Sequence, residues 1–302
     1  MAEQRWFKGN LHTHTTESDG DADPQQVVEW YKNHGYDFLV LSDHNHRTIL
    51  DHDNQLGLVM IPGEEVSAHL INSEIVVHIN GIGITKVVEA VDAQNVVDTI
   101  QSNVNAVISA GGIAQINHPN TQWAIDHEDI LQVNGLTLFE VYNGGIGPNN
   151  EGGIGKLSTE EMWDKILSSG YKIFGVATDD AHHYSDFNHT LANPGRGWVF
   201  VQSENLSSES ILNSLSIGKF YFSTGVELCE LKFSDNVLSL QIEPIRNYIY
   251  STTLIGKDGI VLSQEDGLDV SYELKGNEGY VRATIRSSYG TKAWTQPVFI
   301  NS

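Results

Sequence analysis

The chain has 302 residues, enough to bury a large core in one big domain or in a big domain plus a small one. Hydrophobic residues make up 40% and charged residues 19%, a globular composition that excludes a disordered chain. With 39 acidic against 17 basic residues the net charge is −22, which opposes a broad basic surface for long nucleic acids or anionic membranes.

No apolar run approaches the ~18–20 residues that cross a bilayer. The opening MAEQRWFKGN is polar and lacks an apolar signal core, so a cytoplasmic protein is expected. Cys229 is the single cysteine, which removes an intrachain disulfide and a thiolate zinc site, and it reads as a small buried residue. Histidine is the outlier, with 13 copies, many of them at expected strand ends.

A first strand is expected over 6–11. It opens into GNLHTHTTESDG, where His12 and His14 are two apart and share a face of extended chain. Asp19 follows on the turn. Asp23 and Pro24 start a helix as N-cap and first residue, and Asn33-His34-Gly35 stops it. FLVLS over 38–42 is a strand covered on both faces, ending in Asp43-His44-Asn45-His46. A helix or loop over 48–56 and a strand over 58–61, ending in PGEEVS, come next. A strand over 75–84 contains His78. A helix over 92–110 precedes a strand over 113–116, ending in Asn117-His118-Pro119. A strand over 136–141 ends in Glu140-Val141-Tyr142-Asn143. Ser158 to Glu161 cap a helix that stops at Ser169-Gly170. The strand over 172–177 ends in Thr178-Asp179-Asp180-Ala181-His182-His183.

Alternating strand and helix predict an α/β architecture with a largely parallel sheet. About seven such units fit a barrel, whose functional groups gather at the carboxyl ends of the strands. Past a strand at WVFVQS, a helix over 207–216 and a strand at FYFST, only β-like alternation broken by turns remains. This divides the chain into a barrel over 1–225 and an all-β module over 226–302, read as a small β-sandwich.

The strand-end groups are His12, His14, Asp19, Asp43, His44, Glu65, His78, His118, Asp180 and His182. Burying so many ionisable groups together without a metal carries a large desolvation cost. Imidazole and carboxylate without thiolate point to Mn²⁺, Zn²⁺ or Fe²⁺. The set exceeds the needs of one ion, so two or three divalent ions sharing a carboxylate are expected.

HTHTTESDG, SDHN, the G-x-E of Gly63-Glu64-Glu65, His78, NHP and the D-A-H of Asp180 to His182 resemble, in that order, the polymerase-and-histidinol-phosphatase (PHP) superfamily. The likeness spans about residues 5–225 and implies a distorted (β/α)7 barrel of PHP type. Gly195-Arg196-Gly197-Trp198 through Gly218-Lys219 to Gly225 is similar to the carbaryl-hydrolase-like (CehA/McbA-type) branch. The resemblance implies that His12, His14, Glu65 and Asp180 hold one metal. Glu65 would bridge to a second, held also by His78 and His118, and Asp19, His44 and His182 would hold a third. The G-x-E-x-S pattern selects Glu65 over Glu64, and the D-x-H spacing selects Asp180 over Asp179. Asp43 is expected to orient His44 or a neighbouring ligand. Arg196 is a candidate for a phosphoryl oxygen, His183 for the leaving-group proton, and Asn143 for the pocket wall.

The implied activity is hydrolysis by metal-activated water, with a small phosphomonoester or nucleotide as substrate. An ester, amide or carbamate substrate at the same site is the alternative, and a metal-stabilised scaffold without turnover is the third reading. No oligomeric state follows from the sequence.

Overall fold

The computed structural model describes residues 4–50 and 57–300. The expected element over 48–56 therefore falls largely outside the described residues. Among those described, no helix is long and apolar enough to cross a membrane.

Strand β1 (Arg5–Asn10) leads to helix α1 (Pro24–Asn33) and strand β2 (Phe38–Leu41). Asp23 closes α1 with a capping box, accepting from the Gln26 N–H at 2.9 Å while the Gln26 side chain accepts from the Asp23 N–H. Gly35, at φ 76°, takes the left-handed stop that the sequence predicts. All four residues of β2 are buried. Phe38 and Val40 face one core, Leu39 and Leu41 a second, so the continuous apolar run follows from two covered faces. Gly9 sits where the Phe38 ring crosses β1; a Cβ there would lie 2.2 Å from it.

β3 (Val59–His69) pairs in parallel with β2 through residues 59–62, then switches partner. From Gly63 onward it forms an antiparallel hairpin with β4 (Val76–Ile82). A regular β/α repeat would place a helix here, but only a tight turn at Asn72 and Ser73 joins the strands. The helix expected over 92–110 is α2 (Val96–Ser109); it starts late because the Asn95 side chain caps it, accepting from the Asp98 N–H. β5 (Ile113–Ile116), the short α3 (His127–Ile130), β6 (Leu136–Asn143), α4 (Thr159–Ser168) and β7 (Phe174–Thr178) follow. β5, β6 and β7 pair in parallel. β8 (Trp198–Ser203) returns antiparallel to β1, and α5 (Ser208–Ser216) leads to β9 (Phe220–Ser223) on the outer side of β8.

The result is a mixed α/β fold around one large sheet, in the order β8-β1-β2-β3-β4-β5-β6-β7 over this half. β4 and β8 run against the other strands, which departs from seven uniform β/α units. The arc is joined at the carboxyl ends: Thr13 bridges Ala181, with His14 N–H donating to Ala181 O at 2.9 Å and Asp180 N–H to His12 O at 3.0 Å. That closure brings the segment after β1 onto the segment after β7.

The C-terminal strands are β10 (Leu228–Ser234), β11 (Val237–Ile242), β12 (Tyr250–Gly256), β13 (Ile260–Asp266), β14 (Asp269–Glu273), β15 (Tyr280–Ser287), β16 (Lys292–Thr295) and β17 (Val298–Phe299). β10, β11 and β14 form a separate three-stranded sheet. The others extend the large sheet, because β16 pairs with β9 through Ala293–Ser223, Trp294–Phe222 and Thr295–Tyr221. Two layers do face each other here: Leu238, Leu240 and Val270 pack with Val281, Ala283 and Ile285. One of the layers is shared with the N-terminal half, so main-chain hydrogen bonds cross the expected 225/226 boundary. Cys229 is exposed, not buried, and its thiol meets Glu243.

A buried ion cluster adds a second tie. Arg282 on β15 is fully buried and grips Asp164 of α4 with Nε and Nη2, each at 2.7 Å. Its Nη1 donates to Glu160 at 3.1 Å and to Thr284, and the Tyr280 hydroxyl donates to Asp164.

Candidate metal centre

Alternation at the end of β1 sorts the first cluster residues. Thr13 turns to β2, where its hydroxyl donates to Val40 O at 3.0 Å, and His12 and His14 take the other side. Both imidazoles are fully buried. Glu65 lies on β3 just past the point where its pairing passes from β2 to β4, and it is almost fully buried. Five imidazoles surround its carboxylate. His12 Nε2, His78 Nδ1 and His118 Nε2 lie 3.2, 2.9 and 3.3 Å from Oε1; His14 Nε2 and His44 Nδ1 lie 3.4 and 3.0 Å from Oε2. Asp180 Oδ1 stands 3.2 Å from both His12 Nε2 and His14 Nε2. Asp19, 55% exposed, faces inward from the turn, 3.3 Å from His182 Nε2 and 3.6 Å from His44 Nε2 and His14 Nδ1.

All nine expected ligand residues thus meet in one place. Their donor atoms fall into overlapping groups: His14, Asp19, His44 and His182; His12, His14 and Glu65; His12, His118 and Asp180; His44, Glu65 and His78. His12 Nε2, His14 Nε2 and Glu65 Oε2 are buried without a hydrogen-bond partner among the described residues. Three buried polar atoms that converge without partners are costly in a protein alone. A divalent ion accepts all three lone pairs, so the residues present fit one. Two of the residues, His118 and Asp180, have left-handed backbones at φ 23° and 48°. Such strain costs on the order of 1–3 kcal/mol per residue and gathers at functional sites.

The imidazoles and carboxylates of the cluster shift one another's titration. Burial would depress His12, but the carboxylates of Asp180, Glu65 and Glu140 outweigh it and hold its pKa well above the imidazole range. Burial opposes the charge on Glu65 too, and His78, His12 and His118 keep it well below the carboxylate range. Asp19 is held low by hydrogen bonds from His182 and His44. For His44, burial is outweighed by Asp19 and Glu65, which carry it up to about 10; for His14, burial dominates and brings it down to about 4. Ion uptake by such a cluster must displace protons.

The remaining expected residues are placed as follows. Asp43 does not touch the His44 ring. It accepts from Thr15 N–H at 2.7 Å and from the Thr15 and Ser18 hydroxyls, bracing the turn that presents Asp19. Asn143 donates to Asp180 Oδ2 at 3.0 Å. Arg196, the candidate for a phosphoryl oxygen, donates with its terminal nitrogens to the carbonyls of Gly144 and Asn188, each at 2.9 Å, and so fastens two loops together. His183 Nδ1 is buried and unpartnered among the described residues. Asp179 and Glu64, set aside in favour of their neighbours, point elsewhere. Asp179 accepts from three successive N–H groups of Gly195, Arg196 and Gly197, and Glu64 accepts from Val88 N–H. Sequence reasoning missed Glu140, fully buried at the end of β6 and accepting from His12 Nδ1 at 2.9 Å. The available signal was an acid inside the apolar run LTLFEV. It also missed Asn117, which donates to Glu65 Oε1 at 2.7 Å.

No family model matches the chain, and no curated protein matches it. Solved structures do. A two-domain protein from Bacteroides vulgatus containing a predicted PHP-like metal-dependent phosphoesterase aligns with a TM-score of 0.56 at 15% identity, over 97% of this chain and 95% of that one. An amidohydrolase from Chromobacterium violaceum, with bound sulfate and no metal, aligns at 0.43 and 16% identity, over 62% and 93%. A protein from Bifidobacterium adolescentis, assigned as a metal-dependent phosphoesterase, aligns at 0.44 and 15%, over 60% and 89%. The first alignment covers nearly all of both chains, so this protein shares the overall fold of that structure.

Proposed function

We propose that the chain is a metal-dependent hydrolase that cleaves a small phosphomonoester or nucleotide. The observation that carries this is the convergence of His12 Nε2, His14 Nε2 and Glu65 Oε2, buried and unpartnered, against Asp180. His12, His14, Glu65 and Asp180 would hold one divalent ion. His78 and His118 would hold a second with Glu65, and Asp19, His44 and His182 a third. Bound ions of this kind supply a water acidified to near-neutral pKa and positive charge for the developing anion.

The chain's own residues supply the rest. Glu65 and Asp180 present fixed carboxylates, Asp180 being oriented by Asn143. Asp43 holds the turn that brings Asp19 to the mouth. His183, whose Nδ1 has no partner among the described residues, would supply the proton to the departing oxygen. Arg196 is committed to carbonyls, which leaves the substrate's charge to be met by the ions. The same commitment favours a second reading, an ester, amide or carbamate substrate, which needs no cationic side chain. The net charge of −22 speaks for a small substrate and against a polyanion.

The test is metal-free protein reloaded with Mn²⁺, Zn²⁺ or Fe²⁺ and offered aryl phosphates, nucleotides and aryl esters. Turnover of phosphomonoesters is expected. Activity on carbonyl substrates alone would move the assignment to the second reading. Failure to bind any of the three metals would sink both.

A further inference from the structure

Glu140 has no place in the ligand set above, yet its buried carboxylate accepts from four donors beside it. Oε1 accepts from His12 Nδ1 at 2.9 Å and from the Thr178 hydroxyl. Oε2 accepts from the His118 N–H at 2.6 Å and from Asn143 Nδ2 at 2.9 Å. The same Asn143 amide nitrogen lies 3.0 Å from Asp180 Oδ2. One carboxylate therefore reaches His12, His118 and Asp180, whose donor atoms form a single candidate ion pocket. The pocket at His14, Asp19, His44 and His182 is different. Asp19 is 55% exposed, His44 and His182 are partly exposed, and none of the Glu140 contacts extends to them.

We propose that Glu140 is a positioning residue that makes the inner ion sites, to which His12, His118 and Asp180 belong, the tight, first-filled ones and leaves the Asp19 pocket exchangeable. This rests on the metal-binding reading above. Three features carry it. Accepting at Nδ1 forces the His12 proton onto that nitrogen and leaves the lone pair on Nε2, the buried unpartnered atom. The bond to the His118 N–H fixes a backbone at φ 23°, where imidazole placement would otherwise wander. A glutamine does not reproduce this: its NH₂ would face either the His118 N–H and the Asn143 amide, both obligate donors, or His12 Nδ1, which could then accept only with the imidazole proton moved to Nε2. The inner pocket is thus assembled before an ion arrives, and the outer one must order a half-exposed aspartate when it binds.

The experiment is a calorimetric Mn²⁺ titration of metal-free protein, with metal content measured after dialysis. The parent is expected to show a tight step that survives dialysis and a weaker step that does not. Glu140→Gln should weaken the tight step ~10–100-fold and leave the weaker one in place. Asp19→Asn should do the reverse. Thermal unfolding of the metal-free variants controls for folding. Should Glu140→Gln fail to fold, Thr178→Val removes a single donor and should still weaken only the tight step. Tight steps equal to the parent's in the folded Glu140 or Thr178 variant, or loss of the tight step in Asp19→Asn, would overturn the inference while the metal reading stands. A parent that takes up no ion overturns both.

Discussion

Replacing Arg282 with methionine removes the charged tie between β15 and α4 and preserves most of its buried volume. The guanidinium makes two bonds to Asp164, one to Glu160 and one to Thr284. Without it Asp164, which is almost fully buried, keeps only the Tyr280 hydroxyl. Breaking one side of a buried pair costs about 3–5 kcal/mol, because the surviving charge is left without compensation. Against a total stability of roughly 5–15 kcal/mol, that is a large share. Adding Asp164→Leu removes the stranded carboxylate. The residual cost then comes mainly from the unpaired Tyr280 hydroxyl, about 1–3 kcal/mol. Urea unfolding at 25 °C, followed by fluorescence of the nearby Trp163 and Trp294, gives all corners of the cycle. The double variant should lose less than the two single variants summed. A loss below about 1 kcal/mol for Arg282→Met, or strict additivity, would refute the idea that this cluster fastens the two halves.

Glu64→Gln should change the pH dependence of stability. Burial lifts the Glu64 carboxyl from 4.5 to about 7, so between those values the folded chain holds a proton that the unfolded chain has released. Stability from this group therefore falls as pH rises through that window, and the penalty is complete above it. The variant should be stabilised at pH 8 relative to the parent and show no such gain at pH 4, as read by denaturant midpoints. Gly175→Ala should lower the melting temperature through a cost of about 1–3 kcal/mol. Its Cβ would lie 2.7 Å from the Phe222 ring and 2.9 Å from Val141, where β7 packs on β9.

Much of the site was legible because its residues follow short local rules. His12 and His14 share a face by strand alternation alone, and the family resemblance implied that Asp19 meets His44 and His182. The structure brings it to 3.3 Å from His182. Asp23 announced its helix as an N-cap before Pro24 and Ser158 through a capping box, and a capping box forms at both. What stayed hidden depends on partners far along the chain. Glu140 reads like any strand-end acid until His12, 128 residues away, donates to it. Asp43 sits beside His44 in sequence but braces the turn at Thr15 and Ser18. Arg282 lies in a strand-like run, and nothing local reveals that it is fully buried against Asp164, 118 residues away. The antiparallel β4 was concealed because a buried strand has the same composition in either direction.

The pairing of β16 with β9 also decides how the two halves can be separated. β9 is FYFS, and Phe220, Tyr221 and Phe222 are all buried. Cut the chain at residue 225 and that strand becomes a sheet margin with unpaired amides and bulky aromatic rings, the kind of margin that recruits other chains. The C-terminal strands therefore act as an edge guard for the half that carries the histidines. A fragment ending at 225 would keep every candidate ligand and lose its protection against self-association.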